Sequence, residues 1–521
     1  GAQPDSLGAS RTISAEIKSA AEEAISRLEC CKQFSVESAV SELVDLWVTF
    51  PMEPTERETT LRIAQIEFVT NSLMKETGRH EEVIRLYREE FLRRFGNHLD
   101  SSRIDDLPGL TDEVRSVIKS VADRGVRVDE VGPRWNLRLN MNTKLAEEHG
   151  KVAMEKVVKD GRNGRIVLFS SLVEKQLLDD ERRLMVAKVI RVAKRFLSGA
   201  IDPADSRWCN AQLDANTLTP AKGIGPGGSV KLPTQLEASK GMLIIAFARP
   251  GLLAYYSKHD VSEAFRLVWL AIEMCGLFAT SIPRWVLGLG LGNFYCVLLA
   301  LSFGSTISPG FFDYFSKAIS MAHSSFAPPD PARNGVLAFV NFVLVDDIVL
   351  MGVREGLSLI WSVMVCQWAM RMALGTFAVN ETKGQEEAPW EQKKILWGVC
   401  HDASAVHVDP MALRLQMTPV KREKGRDLFF NKLFNWGSFA FGRWQVQVLG
   451  GNMVFYGSVC RVMWPLMMRL AQVTYVLPDG PVGVTGTQTQ EVREAYEEVW
   501  RVVELLRLVG GSAHWWDSTF G

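Results

Sequence analysis

Apolar positions recur at helical intervals through the first fifth of the chain. Leu61, Ile63, Ile66, Phe68, Val69 and Leu73, then Val83, Ile84, Leu86, Phe91 and Leu92, lie between charged residues and predict packed helices. Glu113 to Arg124 reads as another helix, with Gly125 as its stop. Beyond residue 250 the pattern changes. Leu252 to Tyr256, Val336 to Val345, Ile348 to Met351, Ile395 to Val399 and Leu413 to Leu415 are short apolar, β-branched or aromatic runs of strand character. Helical spacing returns at Phe311, Phe312, Phe315 and Ile319, and again over Val492 to Leu508. Helical stretches and short strands in this mixture predict an α+β protein of more than one domain.

Two of the strand-like runs end on carboxylates. Asp260 follows Leu252 to Tyr256, and Asp346-Asp347 stands between Val336 to Val345 and Ile348 to Met351, at the tip of an expected hairpin. An Asp pair between β-branched runs is ordinary turn chemistry, since Asp caps its own backbone. Three carboxylates at the ends of apolar strands are costly unless they meet a cation, a base or water, and together they suit a divalent-metal site.

The order of motifs resembles the reverse transcriptase, an RNA-directed DNA polymerase, of eukaryotic retrotransposons of the tyrosine-recombinase and LTR type. Asp260 to Phe265 matches D-x-x-x-x-(F/Y), and Leu344-Val345-Asp346-Asp347 matches the x-x-D-D hairpin, with Leu344 where an aromatic is usual. Phe303-Gly304 to Phe312 is similar to the F-G-x-x-x-(S/A)-P-x-x-F segment. In it Ser308 is expected to cap a helix that Pro309 begins. Arg207-Trp208 to Asn216-Thr217 resembles the fingers motif, with Leu213 where a second Arg is common and no clear upstream Lys; Lys194 and Arg195 are the nearest candidates. Asn380-Glu381-Thr382-Lys383 and the Trp397-Gly398 turn match the later motifs. A basic run from Lys421 to Arg426 follows, with Arg461 and Arg469 further on as candidate phosphate contacts.

The resemblance implies a right-hand polymerase with an antiparallel catalytic palm sheet. Residues 1–105 form a helical region of unknown role before it. Residues 106–398 are expected as fingers and palm, 399–478 as thumb, and 479–521 as a linker with the start of a connection and no complete ribonuclease H. It implies Asp260, Asp346 and Asp347 as ligands of two Mg²⁺ (or Mn²⁺) ions, and Lys383 beside the leaving pyrophosphate. Arg207 would hold the triphosphate and Phe265 would exclude a ribose 2′-hydroxyl. Phe303 and Gly304 would lie at the templating base, and Trp397 and Gly398 at the primer end. The implied partners are an RNA template, a DNA or RNA primer duplex and dNTPs. A decayed polymerase that only binds nucleic acid or a protein partner is the alternative.

Composition adds bounds. The chain has 521 residues, 47% of them hydrophobic, and a net charge of −1, so any nucleic-acid footprint must be local. One candidate is the basic tract from Lys151 through Arg165 to Arg195, diluted by acids, which reads equally as a solvated helix face. Eight cysteines without C-x-x-C spacing point to a reducing compartment rather than a zinc or disulfide framework. Gly223 to Gly228 is a loop without a phosphate-binding fingerprint. His259, beside Asp260, is expected to be structural. No charge falls between Arg284 and Asp313, which raises a membrane span, but Gly288, Gly290, Gly292 and Asn293 interrupt it and favour a buried core. With no basic segment before an apolar core at the start, an intracellular protein without a signal peptide is expected.

Overall fold

The computed structural model describes residues 35–127, 150–173, 230–327, 335–435, 440–460, 463–479 and 489–508 almost without interruption, together with isolated positions and several strands by backbone alone. The side chains of Arg207, Lys194 and Arg195, the whole of Asn216 and Arg461, half of the Gly223 to Gly228 loop and the 480–488 segment lie outside the described residues. The chain divides into two compact units.

The first unit comprises the residues up to 231, 262–319 and 369–378. Its helices follow the apolar periodicity: Val36–Val48, Glu56–Thr77, His80–Phe95, Asp112–Arg124 and Gly150–Arg162. The second of them has a local cause at each end. Thr55 and Glu58 form a capping box that starts the second helix, and Gly78, at φ 71°, ends it in the left-handed region. A mixed sheet runs in the order Arg138–Leu139, Met185–Arg195, Ala279–Pro283, Asn293–Leu298, Ile166–Ser170, with Ile201–Ala211 paired to Met185–Arg195. The helices are tied to it by side chains. Arg88 donates to the carbonyls of Leu270 (2.6 Å) and Leu299 (3.0 Å), and Asn71 donates to Ser170 Oγ at 3.0 Å. A Cβ at Gly161 would lie 2.2 Å from Trp47, so only glycine lets that indole pack there.

The charge-free stretch after Arg284 is core, not a span. It breaks into a short turn at Arg284–Leu287 and the strand Asn293–Leu298, where Phe294, Tyr295, Cys296 and Val297 are buried. No described helix is long and apolar enough to cross a membrane.

The second unit comprises 232–261, 320–368 and 379–521. Its first layer is an antiparallel sheet of Phe339–Leu344, Asp347–Val353 and Ala254–Asp260, in that order. The helix Gln235–Ala248 covers it, contributing Ala238, Met242, Ile245 and Ala246 to the core. That helix approaches the hairpin closely at Gly241, where a Cβ would lie 2.7 Å from Phe342. A second sheet runs Lys393–Leu396, Val399–Asp402, Arg414–Met417, Asp517–Thr519. The helices Pro419–Phe429, Arg443–Val459, Met463–Thr474 and Gln490–Gly510 share a separate apolar core around Leu449, Met453, Tyr456, Tyr496 and Val503. Cys275, Cys296, Cys366, Cys400 and Cys460 are buried.

Candidate active site

Alternation decides where the carboxylates emerge. Ala254, Tyr256, Lys258 and Asp260 occupy one face of their strand. They pair in register with Val353, Met351, Val349 and Asp347 on the neighbour. The apolar members of this face lie in the core. At the strand ends the same face turns polar, and Asp347 stands directly opposite Asp260. A cross-strand pair of like charges is destabilising by itself, so something must compensate it.

Asp346 sits in the two-residue turn between the paired Leu344 and Asp347. The first turn position, Val345, has φ 60°. Positive φ there is normal for glycine, whereas a β-branched residue is strained by about 1–3 kcal/mol. The turn is held in place by its surroundings, because the Asp346 carbonyl accepts from Val261 N at 3.0 Å. Val345→Gly is therefore expected to stabilise the protein by about 1 kcal/mol, measured by denaturant unfolding, while loosening the aim of Asp346.

The compensating charges are lysines. Asp260 is only 6% exposed. Its Oδ1 accepts from Lys383 Nζ and its Oδ2 from Asn380 Nδ2, both at 2.8 Å. Asn380 also caps the helix Glu381–Glu387 by accepting from Lys383 N, which fixes both residues relative to the carboxylate. Asp347 Oδ1 lies 3.1 Å from Lys258 Nζ, which also reaches Glu387 Oε2 at 2.9 Å. Burial works against the Lys258 charge, but Glu387 and Asp347 outweigh it and raise its pKa. Half-buried Asp346 has neither lysine as an ion-pair partner. Burial, then the charges of Asp347 and Asp260, push its carboxyl above the usual range.

Oxygen donors of this kind match Mg²⁺ or Mn²⁺. Among the described residues no three His, Cys, Asp or Glu side chains form a ready-made metal cage. Ions held by Asp260, Asp346 and Asp347 would thus draw further ligands from water and substrate, as Mg²⁺ usually does.

Trp397 and Gly398 form another two-residue turn, between the paired Leu396 and Val399, with both residues left-handed at φ 47° and 87°. Gln235 pins it by donating to the Leu396 carbonyl at 2.9 Å, while His401 Nε2 lies 2.6 Å from Gln235 Oε1. In the first unit, Phe265 and Phe303 are brought together. Phe265 is buried, its ring 5.0 Å from Phe303 and 5.5 Å from Phe312, both edge-on. Phe303 is 39% exposed, and Gly304 beside it has φ 91°.

Several sequence expectations change in detail. The helix after Gly304 begins at Ile307, before Pro309, so Ser308 lies inside it and its hydroxyl donates to the Ser302 carbonyl at 2.8 Å. Arg469 pairs with Glu498 at 2.7 Å. In the basic tract, Lys151 pairs with Glu56, and Lys159 and Arg165 with Glu263. His259 is buried with Ser257 Oγ 3.0 Å from its Nε2, and burial pushes its pKa down to about 4, which suits a neutral structural residue. Sequence reasoning gave no role to Lys258, Glu387, Gln235 or His401. The one signal available was a lysine two positions before Asp260 on an otherwise apolar strand face.

No protein-family model matches the chain, and no curated protein matches it. Among solved structures it is similar to the foamy viral protease–reverse transcriptase. In that protein's complex with double-stranded DNA the TM-score is 0.41 and the identity 14%, over 78% of this chain and 59% of that one. In its complex with an RNA/DNA hybrid the values are 0.40 and 12%, over 78% of this chain and 45% of that one. The chain thus spans less than two thirds of the length of either.

Proposed function

We propose that the chain is an RNA-directed DNA polymerase of the retroelement type, with fingers, palm and thumb. The observation that carries this reading is the register pairing of Asp347 with Asp260, with Asp346 aimed from a strained turn beside them. It is joined to the order of the sequence motifs and does not rest on the structural likeness. In the reaction a primer 3′-hydroxyl gives up its proton to water, its oxygen bonds to the α-phosphorus of a dNTP, and the bond from that phosphorus to pyrophosphate breaks. Two Mg²⁺ ions held by such carboxylates would supply charge stabilisation to this transfer.

The remaining work falls to side chains. Asp260, Asp346 and Asp347 position the ions. Lys383 delivers a proton to the leaving pyrophosphate, and Arg207 grips the triphosphate in the manner of a fork. Phe303 and Gly304 serve the templating base, and the Trp397–Gly398 turn serves the primer end. Phe265, held edge-on by two rings, selects the deoxyribose sugar. A binding-only protein is the second reading, favoured by the lysines that neutralise Asp260 and Asp347.

Extension of a primed RNA with dNTPs or rNTPs tests the proposal. The wild type should prefer dNTPs, and Phe265→Val should relax that preference by about 10²-fold. A folded protein that binds the duplex but extends it with neither nucleotide would favour the second reading.

A further inference from the structure

We propose that Lys258 is a built-in countercation that a divalent ion must displace from Asp347, with Glu387 as the seat that retains it. This rests on the metal-dependent reading above. Lys258 lies on the same sheet face as Asp260 and Asp347, and Asp347 is its diagonal neighbour across the two strands. Its side chain is 15% exposed, so its ammonium has little water to fall back on. It spans two carboxylates, 3.1 Å from Asp347 Oδ1 and 2.9 Å from Glu387 Oε2.

Two cations cannot share Asp347 Oδ1 without strong repulsion. A metal ion arriving there leaves Lys258 on Glu387 alone, still charged and still paired. Lys258 therefore steadies the opposed Asp260 and Asp347 in the absence of metal and raises the ion concentration needed to load the site. Lys383 differs. It is 47% exposed on Asp260, and water can replace the carboxylate when it leaves.

The double variant K258M/E387Q tests this cleanly. It removes one charge of each sign, so the net charge is unchanged and Glu387 is not left as a carboxylate without its lysine, while Asp347 loses its countercation, which is the change the test reads. Mn²⁺ binding to the full chain, without nucleotide, is followed by water-proton relaxation, and folding is checked by circular dichroism. The double variant should bind Mn²⁺ about 10-fold more tightly than wild type. K258R, which keeps the charge, should stay close to wild type. Mn²⁺ affinity unchanged or weakened in the folded double variant overturns the role of Lys258, while binding lost in D346N would still uphold the metal site. Absence of Mn²⁺ binding from wild type and double variant alike removes both. If the double variant does not fold, E387Q decides: with its only seat on Asp347, Lys258 should weaken Mn²⁺ binding, and an unchanged affinity overturns the proposal.

Discussion

Asp346→Asn should abolish nucleotide addition, by about 10³-fold or more, and at the same time make the metal-free protein more stable. The two effects share one cause. Burial and the neighbouring Asp347 and Asp260 raise the carboxyl's pKa, so the ionised form is disfavoured in the folded state. A carboxylate whose folded pKa is raised imposes its full penalty above that folded value. The penalty shrinks as pH falls below the folded value and is gone once pH lies below the ordinary carboxylate range, where the side chain is protonated in both states. Asparagine removes the ionisation altogether. The melting temperature of D346N should exceed that of wild type at pH 7, by about 2–4 °C for each kcal/mol recovered, and the difference should vanish in acid. Mg²⁺ should raise the wild-type melting temperature and leave that of D346N unmoved. Thermal unfolding at several pH values, with and without Mg²⁺, reads all three. A D346N protein less stable than wild type at pH 7 would mean that a hydrogen bond, not a metal, determines the residue.

Lys383→Met should lower the rate of addition by about 10²-fold while leaving the affinity for primer–template unchanged. Lys383 reaches Asp260 Oδ1 at 2.8 Å; the lysine is nearly half exposed but Asp260 is buried, so K383M leaves that carboxylate with Asn380 alone and is expected to cost stability as well. Rates are therefore compared at a temperature where circular dichroism shows both proteins folded, so that loss of rate does not come from unfolding. Arginine at this position separates two roles. Lys383→Arg keeps the charge on Asp260 but cannot surrender a proton. If single-turnover rates in K383R match wild type, the residue acts by charge alone. If they fall with K383M, it is the proton donor to the leaving pyrophosphate.

The alternation of apolar and polar residues is enough to place Asp260 at a strand end and Asp346-Asp347 at a hairpin tip, because period-two patterning fixes both face and ends. The structure confirms this and adds the register that sets Asp347 against Asp260. Register depends on pairing across distant segments, which no local pattern encodes. The countercharges were hidden for the same reason. Lys258, Asn380, Lys383 and Glu387 converge only once the strand and the short helix after Val379 are packed together: the motif marks Asn380 and Lys383 but not their contacts with Asp260, and nothing local marks Glu387. Pinning of the Trp397–Gly398 turn by Gln235 and His401 is also tertiary, spanning well over a hundred residues. The start of the helix at Ile307 shows a local rule overridden. Pro309 is acceptable anywhere in a helix's first turn, where the missing N–H has no partner to lose, so it does not fix which residue comes first.

The central claim is that Asp260, Asp346 and Asp347 perform metal-dependent nucleotidyl transfer. It is tested most directly by adding deoxynucleotides to a primer on a homopolymer RNA template, with Mg²⁺ or Mn²⁺, wild type beside D346N. Incorporation that requires the metal and disappears in the folded, duplex-binding D346N protein is the result expected. Incorporation that survives in D346N, or none by a folded wild type that binds the duplex, would contradict it.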